Sequence, residues 1–586
     1  MTAVIIGLSA SFLASVLLLD LRNIFNLDWY NHLWVIEYFG QCIKHGSIPL
    51  EINTQQFIGL PNTFFYAQKF YSLAGLFSAF FGSAITIRLM VLGAFLLQFF
   101  HVYRAAMKVG SAWKVSVSIA IFVTWAIYPL TNLYNRSALT EFFAVVFLTC
   151  AVCTFLCVII ALKGRVSRYD LLASGYFFVL AAITHPLTAL FGGLFLGILG
   201  VMALFFCERE RRFGLLAYFL ITVFFVFLVL SPWVYVLYQF NDKLPISSFQ
   251  INAANFHQWY FFPGSIDHLL SRLSPFPLDL RSIQFGSEDK DTTPYLDAQI
   301  TLPLILLMGM FIYIQRREEG TGFFLKSSEK VMIGVSAVML IISFTESVCP
   351  KTLDGLGGFF NILQFPYRLV TYVNLSALVI VILLAGSIGR ANVNRSQLIN
   401  ISLAFCIAIS FSALIEKLVH GASIVQKSTK ASRATWVPMP LGSSSHLNEL
   451  PSTRYTVDDY YLDKGFSTAF SLVHVPVIYQ PFHVLEGKRF SQVEAATVNF
   501  AAPTLVITNV QPFPWNQIEI DDVSQPISRI LIAYRRETVL VPQGIHRLQF
   551  VTRIDGVWGF LNSLSWILLL GWAALWVIFG FKEEWL

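Results

Sequence analysis

Twelve runs of apolar residues, at about 3–19, 85–103, 114–130, 141–162, 170–185, 187–206, 213–238, 298–315, 330–346, 367–387, 397–415 and 557–580, organise this sequence. Each is close to the ~20 residues a helix needs to cross ~30 Å of hydrocarbon. Charged residues, 13% of the chain, collect between the runs, and many Trp and Tyr lie near their ends, where an aromatic belt sits. With 56% hydrophobic residues and a mean hydropathy of +0.65 over 586 residues, water is not the main solvent. The sequence predicts an α-helical polytopic membrane protein of about 12 transmembrane helices. The first run has no basic stretch before it and is followed by Leu-Asp-Leu-Arg rather than a small-x-small cleavage site, so it reads as a retained helix.

Lys and Arg fix the expected orientation, because short basic loops stay on the cytoplasmic side. Arg104 with Lys108 and Lys114, Lys163 with Arg165 and Arg168, Arg209 with Arg211 and Arg212, Arg316 with Arg317, and Arg390 with Arg395 fall on alternate loops. All lie inside if both termini are cytoplasmic, which puts 20–84, 131–141, 239–297, 347–366 and 416–556 outside, as in a bacterial inner membrane protein. Residues 64–84 are apolar enough to mimic a span, but counting them would invert every later loop. They read as a helix in the outer interface.

The net charge of +6 is dispersed over these loops, which argues against nucleic acid as a partner. Cys150, Cys153 and Cys157 share one apolar run and the other four cysteines are scattered, so neither a zinc pattern nor a disulfide framework is visible. From about Gly421 Ser, Thr, Pro and Asn rise and short alternating runs appear, such as Ala-Thr-Val-Asn-Phe and Thr-Leu-Val-Ile-Thr. These predict a C-terminal extracytoplasmic β-rich domain. The expected organisation is a transmembrane domain over 1–420 with outer loops 20–84 and 239–297, a β-sandwich-like domain over 421–556, and a final helix with a short tail over 557–586.

Residues that suit chemistry gather at the predicted outer boundary. Asp28 and His32 stand one helical turn apart, a pair able to accept a proton or equally a solvated interfacial acid beside belt aromatics. Tyr134 and Arg136 precede Glu141 at the head of an apolar run, where the helix dipole by itself favours an acid. His185-Pro186 interrupts the apolar stretch from 170 to 206 at the same level, and a hairpin turn explains it as well as a site does. Gln364-Phe365-Pro366-Tyr367-Arg368 opens another span, with Arg368 just inside the boundary, where a charge is costly unless paired or facing a cavity. A carboxylate base with two guanidinium groups suits group transfer from a lipid-phosphate donor.

At these residues the sequence resembles the GT-C class of membrane glycosyltransferases, which includes protein O-mannosyltransferases and the aminoarabinose transferase of lipid A. It looks closer still to the bacterial 6-pyruvoyl-tetrahydropterin-synthase-related polytopic membrane proteins. The matching pieces are Asp28-Trp29 with His32, Gly59-Leu60-Pro61 leading to Tyr66, Tyr134-x-Arg136 with Glu141, Thr184-His185, and Gln364-Phe365-Pro366-x-Arg368, over roughly the first 390 residues. The resemblance implies a GT-C-like fold and a sugar on a polyprenyl-phosphate carrier as donor, with an extracytoplasmic glycan, lipid or protein as acceptor. It makes Asp28 the catalytic or metal-binding acid, with His32 and Glu141 beside it, and Tyr66, Tyr134, Arg136, His185, Gln364 and Arg368 substrate-binding. Many GT-C enzymes have two adjacent acids in the first loop. Here Trp29 follows Asp28, which leaves the need for a divalent metal open. A flippase of lipid-linked saccharide and a non-catalytic envelope-assembly protein are the alternatives.

Overall fold

The structure is a computed structural model that describes residues 1–25, 27–44, 67–161, 167–206, 209–240, 301–317, 325–348, 366–391, 396–427, 477–479, 495–507, 515–525, 530–533, 536–552 and 555–584. Every predicted apolar run coincides with a helix. In chain order these are α1 (Thr2–Ala14), α2 (Leu27–Lys44), α3 (Gln68–Phe81), α4 (Ser83–Val109), α5 (Trp113–Thr124), α6 (Ile127–Leu130) and α7 (Leu139–Ile160), then α8 (Arg168–Thr184), α9 (Pro186–Phe206) and α10 (Arg209–Phe240). After these come α11 (Leu302–Arg317), α12 (Ser327–Val348), α13 (Val370–Arg390), α14 (Ser396–Ile424) and α15 (Gly556–Glu584). Among the described residues nine helical segments are long and apolar enough to cross a membrane, while α1, α8 and α11 are shorter.

Burial shows what surrounds them. The apolar stretch Leu139–Ile160 is 89% buried inside the bundle, whereas Arg212–Gln239, equally apolar in character, is only 11% buried. Phe213, Leu220, Val223, Phe224 and Phe227 all stand on its open surface. In water such a face would be a large adhesive patch; here its natural solvent is lipid.

Helix α3 buries Tyr71, Ala74, Gly75 and Ser78, at helical spacing, and exposes Leu76, Phe77, Phe80 and Phe81. Gly82, at φ 77°, ends it and lets the chain turn directly into α4.

The bundle has two polar ends. At one, Asp170 in the first turn of α8 pairs with Arg104 and, at 2.9 Å, with Lys108, both on α4. Nearby Arg390, at the end of α13, donates to Glu329 at 2.7 and 2.9 Å and to the Val109 carbonyl. At the other end lie Glu141, His185 and Arg368. Helix α13 joins the two, and its 21 residues make about 30 Å of rise, one hydrocarbon thickness.

Two four-stranded sheets form the C-terminal domain. One is ordered β4 (Ala496–Phe500), β10 (Gly544–Thr552), β6 (Asn516–Ile520), β7 (Val523–Ser524); the other β3 (Val477–Tyr479), β5 (Thr504–Ile507), β9 (Arg536–Val541), β8 (Ile530–Ala533). Val498, Ile518 and Leu548 of the first meet Val506, Val539 and Val541 of the second in one core. The strands flanking Pro542-Gln543 do not pair with each other: β9 belongs to one sheet and β10 to the other, and Gly544, at φ 123°, makes the crossing. A further short ladder pairs Asn23–Ile24 (β1) with Gln426–Lys427 (β2), tying the α1–α2 turn to the end of α14.

Candidate functional site

Glu141 is the hub of the second polar end. Its Oε2 lies 3.2 Å from an Arg136 Nη and 3.1 Å from Arg368 Nε, while Oε1 accepts from the Tyr128 hydroxyl at 2.5 Å and from Asn132 Nδ2 at 3.4 Å. The Arg368 contact is one of charge and proximity, since its Nε–H is not aligned on that oxygen. Arg136 is held a second time by Asn132 Oδ1 at 2.6 Å. The carboxylate is 2% exposed, so a charge that would be prohibitive alone is offset by two guanidinium groups and two neutral donors. With both oxygens engaged, Glu141 orients the arginines. Among the described residues, two guanidinium groups meet this one carboxylate.

The backbone is irregular where this cluster forms. Residues Thr131–Asn135 follow α6 as one π-type turn, with the Arg136 N–H bonded to the Thr131 carbonyl, and Ser137 sits at φ 54° before α7 begins. Such turns and left-handed non-glycine residues cost energy and concentrate at sites. They stagger Tyr128, Asn132 and Arg136 so that all three reach Glu141.

His185 caps α9. Its Nδ1 accepts from the Thr188 backbone N–H at 3.2 Å and hydroxyl at 2.7 Å, and Pro186 occupies the first helical position, where a missing N–H costs nothing. The ring's proton is therefore on Nε2. The imidazole lies within electrostatic reach of Glu141, Arg136 and Arg368. Tyr372, one turn into α13, donates to the Thr188 carbonyl at 2.7 Å and locks α13 to this cap.

His32 joins α2 to the same region. Its Nδ1 meets the Tyr71 hydroxyl of α3 at 2.7 Å and its ring bonds the Ser137 backbone. Burial pushes its pKa down to about 4, so the ring is neutral at pH 7. Asp28 belongs to the first turn of α2, one helical turn before His32.

Tyr134 faces away: its hydroxyl donates to the Ala14 carbonyl and its ring packs edge-on against Phe25. Arg136, Glu141, His185 and Arg368 thus come together, His32 borders them through Ser137, and Tyr66 and Gln364 lie outside the described residues.

No family model, curated protein or solved structure matches the chain. What the site can do rests on its own chemistry. Among the described residues no three His, Cys, Asp or Glu converge as a metal site. In the C-terminal domain, His546 bonds Asp521 at 2.7 Å beside a turn, and Trp515 packs on Trp558 at the head of α15.

Sequence reading passes over Asn132, Thr188, Tyr372 and Arg88. The spacing of four from Tyr128 to Asn132 to Arg136, and from Arg368 to Tyr372, is the signal that was available. Arg88 carries no such mark. From α4 it donates to the carbonyls of Leu18, Asp20, Leu21 and Asn23 at 2.8–3.2 Å, and its guanidinium lies over the Trp29 ring. It therefore holds the turn that leads into the Asp28 segment.

Proposed function

We propose that this chain is a membrane glycosyltransferase of GT-C type, moving a sugar from a polyprenyl-phosphate donor to an extracytoplasmic glycan, lipid or protein acceptor. The observation that carries the reading is the pair of arginines gathered on Glu141 at one end of the bundle, next to the helix that bears Asp28. In the reaction the acceptor oxygen bonds to the anomeric carbon as the bond from that carbon to the phosphate oxygen breaks. The acceptor's proton goes to Asp28, and the charge left on the polyprenyl phosphate is taken up by Arg136 and Arg368.

The proposal includes twelve spans in a bacterial inner membrane. The three shorter helices α1, α8 and α11 complete the count, both termini and the Asp170 and Glu329 ion pairs lie inside, and the site and β domain lie outside. Basic residues gathered around those pairs support this orientation.

The test is sugar transfer in proteoliposomes from radiolabelled polyprenyl-phosphate sugars to envelope acceptors. Wild-type activity lost in folded Asp28→Asn and Arg368→Ala proteins is the expected result.

One observation favours the flippase reading. A cavity of about 30 Å³ beside Tyr128 is lined by Gln98, Thr149, Thr301, Thr371 and Asn374, and Gln98 Oε1 and Thr301 Oγ1 meet no hydrogen-bond partner among the described residues. Polar groups this far inside a span are costly and mark routes as well as sites. Movement of labelled lipid between leaflets without sugar transfer would overturn the enzyme reading in its favour.

A further inference from the structure

Lys69 is the one described lysine of α3, and it is 6% exposed. Its Nζ donates to Asn562 Oδ1 at 2.8 Å and lies 4.9 Å from the centre of the Trp566 ring, both on α15. No carboxylate pairs with it among the described residues. An ammonium has three protons and a full charge, and one amide oxygen with one aromatic face satisfies neither. Its position deepens the deficit. Lys69 stands in the first turn of a helix, where the backbone already presents positive charge, and that helix has no side-chain cap. Ala67, just before it, is held at φ 47°, a strained conformation for a residue with a Cβ. Burial pushes the ammonium down to about 7. The under-satisfied ammonium and the uncapped helix end are both relieved by an anion.

Room for one is at hand. Lys69, Gln68 and Ala67 line a half-open cleft of about 40 Å³ whose other walls are Pro186, Trp233 and Trp558 with small and aliphatic residues of α8 and α10. Pro186 is the residue after His185, so the cleft and the Glu141 cluster lie on two sides of one turn. Phe70 adds a second link, packing on Phe143 two residues beyond Glu141 at 5.1 Å. The wall helices α10 and α15 carry exposed Phe227 and Phe560 on their surfaces, which makes the approach to the cleft an apolar one.

We propose that this cleft is a binding site for the phosphate headgroup of a lipid, with Lys69 donating to the phosphate oxygens and the apolar tail leaving along α10 and α15. The inference rests on the transfer reading above and gives the donor's phosphate a second point of attachment beside the arginines. Trp233 and Trp558 supply flat apolar surface for the first segment of tail.

The test uses the full-length protein in nanodiscs, with binding followed by native mass spectrometry. The probes are a polyprenyl phosphate, the matching polyprenol, phosphatidylglycerol and inorganic phosphate. Lys69→Met removes a buried charge and is expected to fold at least as well as wild type, and Lys69→Arg restores the charge. The expected result is polyprenyl phosphate binding that weakens about tenfold or more in Lys69→Met and returns in Lys69→Arg. A diazirine on the first isoprene unit should label the segments around Trp233 and Trp558 in the wild type. Equal binding to Lys69→Met, equal binding of the polyprenol, or inorganic phosphate binding as tightly as the lipid would each overturn the proposal. Lys69-dependent binding of phosphatidylglycerol as tight as that of polyprenyl phosphate supports a lipid-phosphate site and counts against the donor reading. Lys69-dependent polyprenyl phosphate binding without sugar transfer by the wild type likewise keeps the site and sinks the transferase.

Discussion

Arg368 Nε lies 3.1 Å from Glu141 Oε2, joining the entrance of α13 to the head of α7 across most of the bundle's sequence. Arg136 reaches the same oxygen at 3.2 Å, so one buried carboxylate holds two guanidinium groups in place. Removing it takes the shared carboxylate from both. Glu141→Gln is expected to destabilise the protein by roughly 3–5 kcal/mol, read as a lowered unfolding temperature in detergent. Replacing Glu141, Arg136 and Arg368 together by Leu, Met and Met should leave stability much closer to wild type, because the carboxylate and the two guanidinium groups gathered on it then leave together. A triple variant less stable than Glu141→Gln would contradict this account.

His32 makes stability depend on pH. Its folded-state pKa is depressed from 6.5 to about 4 by burial, so between those values the unfolded chain binds the extra proton. The contribution is complete above pH 6.5 and is lost as pH falls to 4, by about 3 kcal/mol in all. His32→Gln, which keeps a hydrogen-bonding side chain without the titration, should show a flatter unfolding temperature between pH 7 and pH 4.5. An unchanged slope would mean that other groups carry the acid sensitivity.

Arg88 holds four carbonyls of the α1–α2 turn. In Arg88→Met those acceptors lose their donor while the aliphatic packing is largely kept, at a cost of roughly 3 kcal/mol. Hydrogen exchange should quicken over residues 18–25 and stay unchanged in the C-terminal sheets. Uniform protection across both regions would show that the turn does not need the clamp.

Close helix packing gives a purely steric prediction. A Cβ on Gly389 would strike the Gly110 carbonyl, whereas one on Gly93 meets nothing within 4 Å. Gly389→Ala should therefore destabilise by roughly 3 kcal/mol as α4 and α13 are forced apart. Gly93→Ala, in a lipid-facing helix position, should be neutral or mildly stabilising. Similar unfolding temperatures for the two would refute the contact.

Much of the fold is legible along the chain because its causes are local. A run of apolar residues as long as the bilayer is thick forms a helix wherever it occurs, since backbone groups in lipid must bond within the segment. The acid Glu141 in the first turn of α7, the break at His185-Pro186 and the strands over Ala496–Phe500 and Thr504–Ile507 follow from neighbouring residues alone. Which face α3 buries, with Tyr71, Ala74, Gly75 and Ser78, came from the structure, since along the chain residues 64–84 are apolar enough to mimic a span. Which strands pair is less local: β9 and β10 are joined by Pro542-Gln543 and yet belong to two sheets, because β10 finds its partners in β4 and β6.

The sequence alone determined an apolar helical bundle with a β-rich end, and it placed Arg136, Glu141, His185 and Arg368 near one level of that bundle. Only the tertiary structure decided that they gather at one place. It put Arg136 and Arg368 on one carboxylate, turned Tyr134 toward Ala14 instead, and brought Tyr128, Asn132 and Arg88 into use. The physical reason is that helix formation needs only neighbours in the chain. The pairing of buried charges depends on how helices cross, and that is settled by packing between segments the sequence keeps far apart.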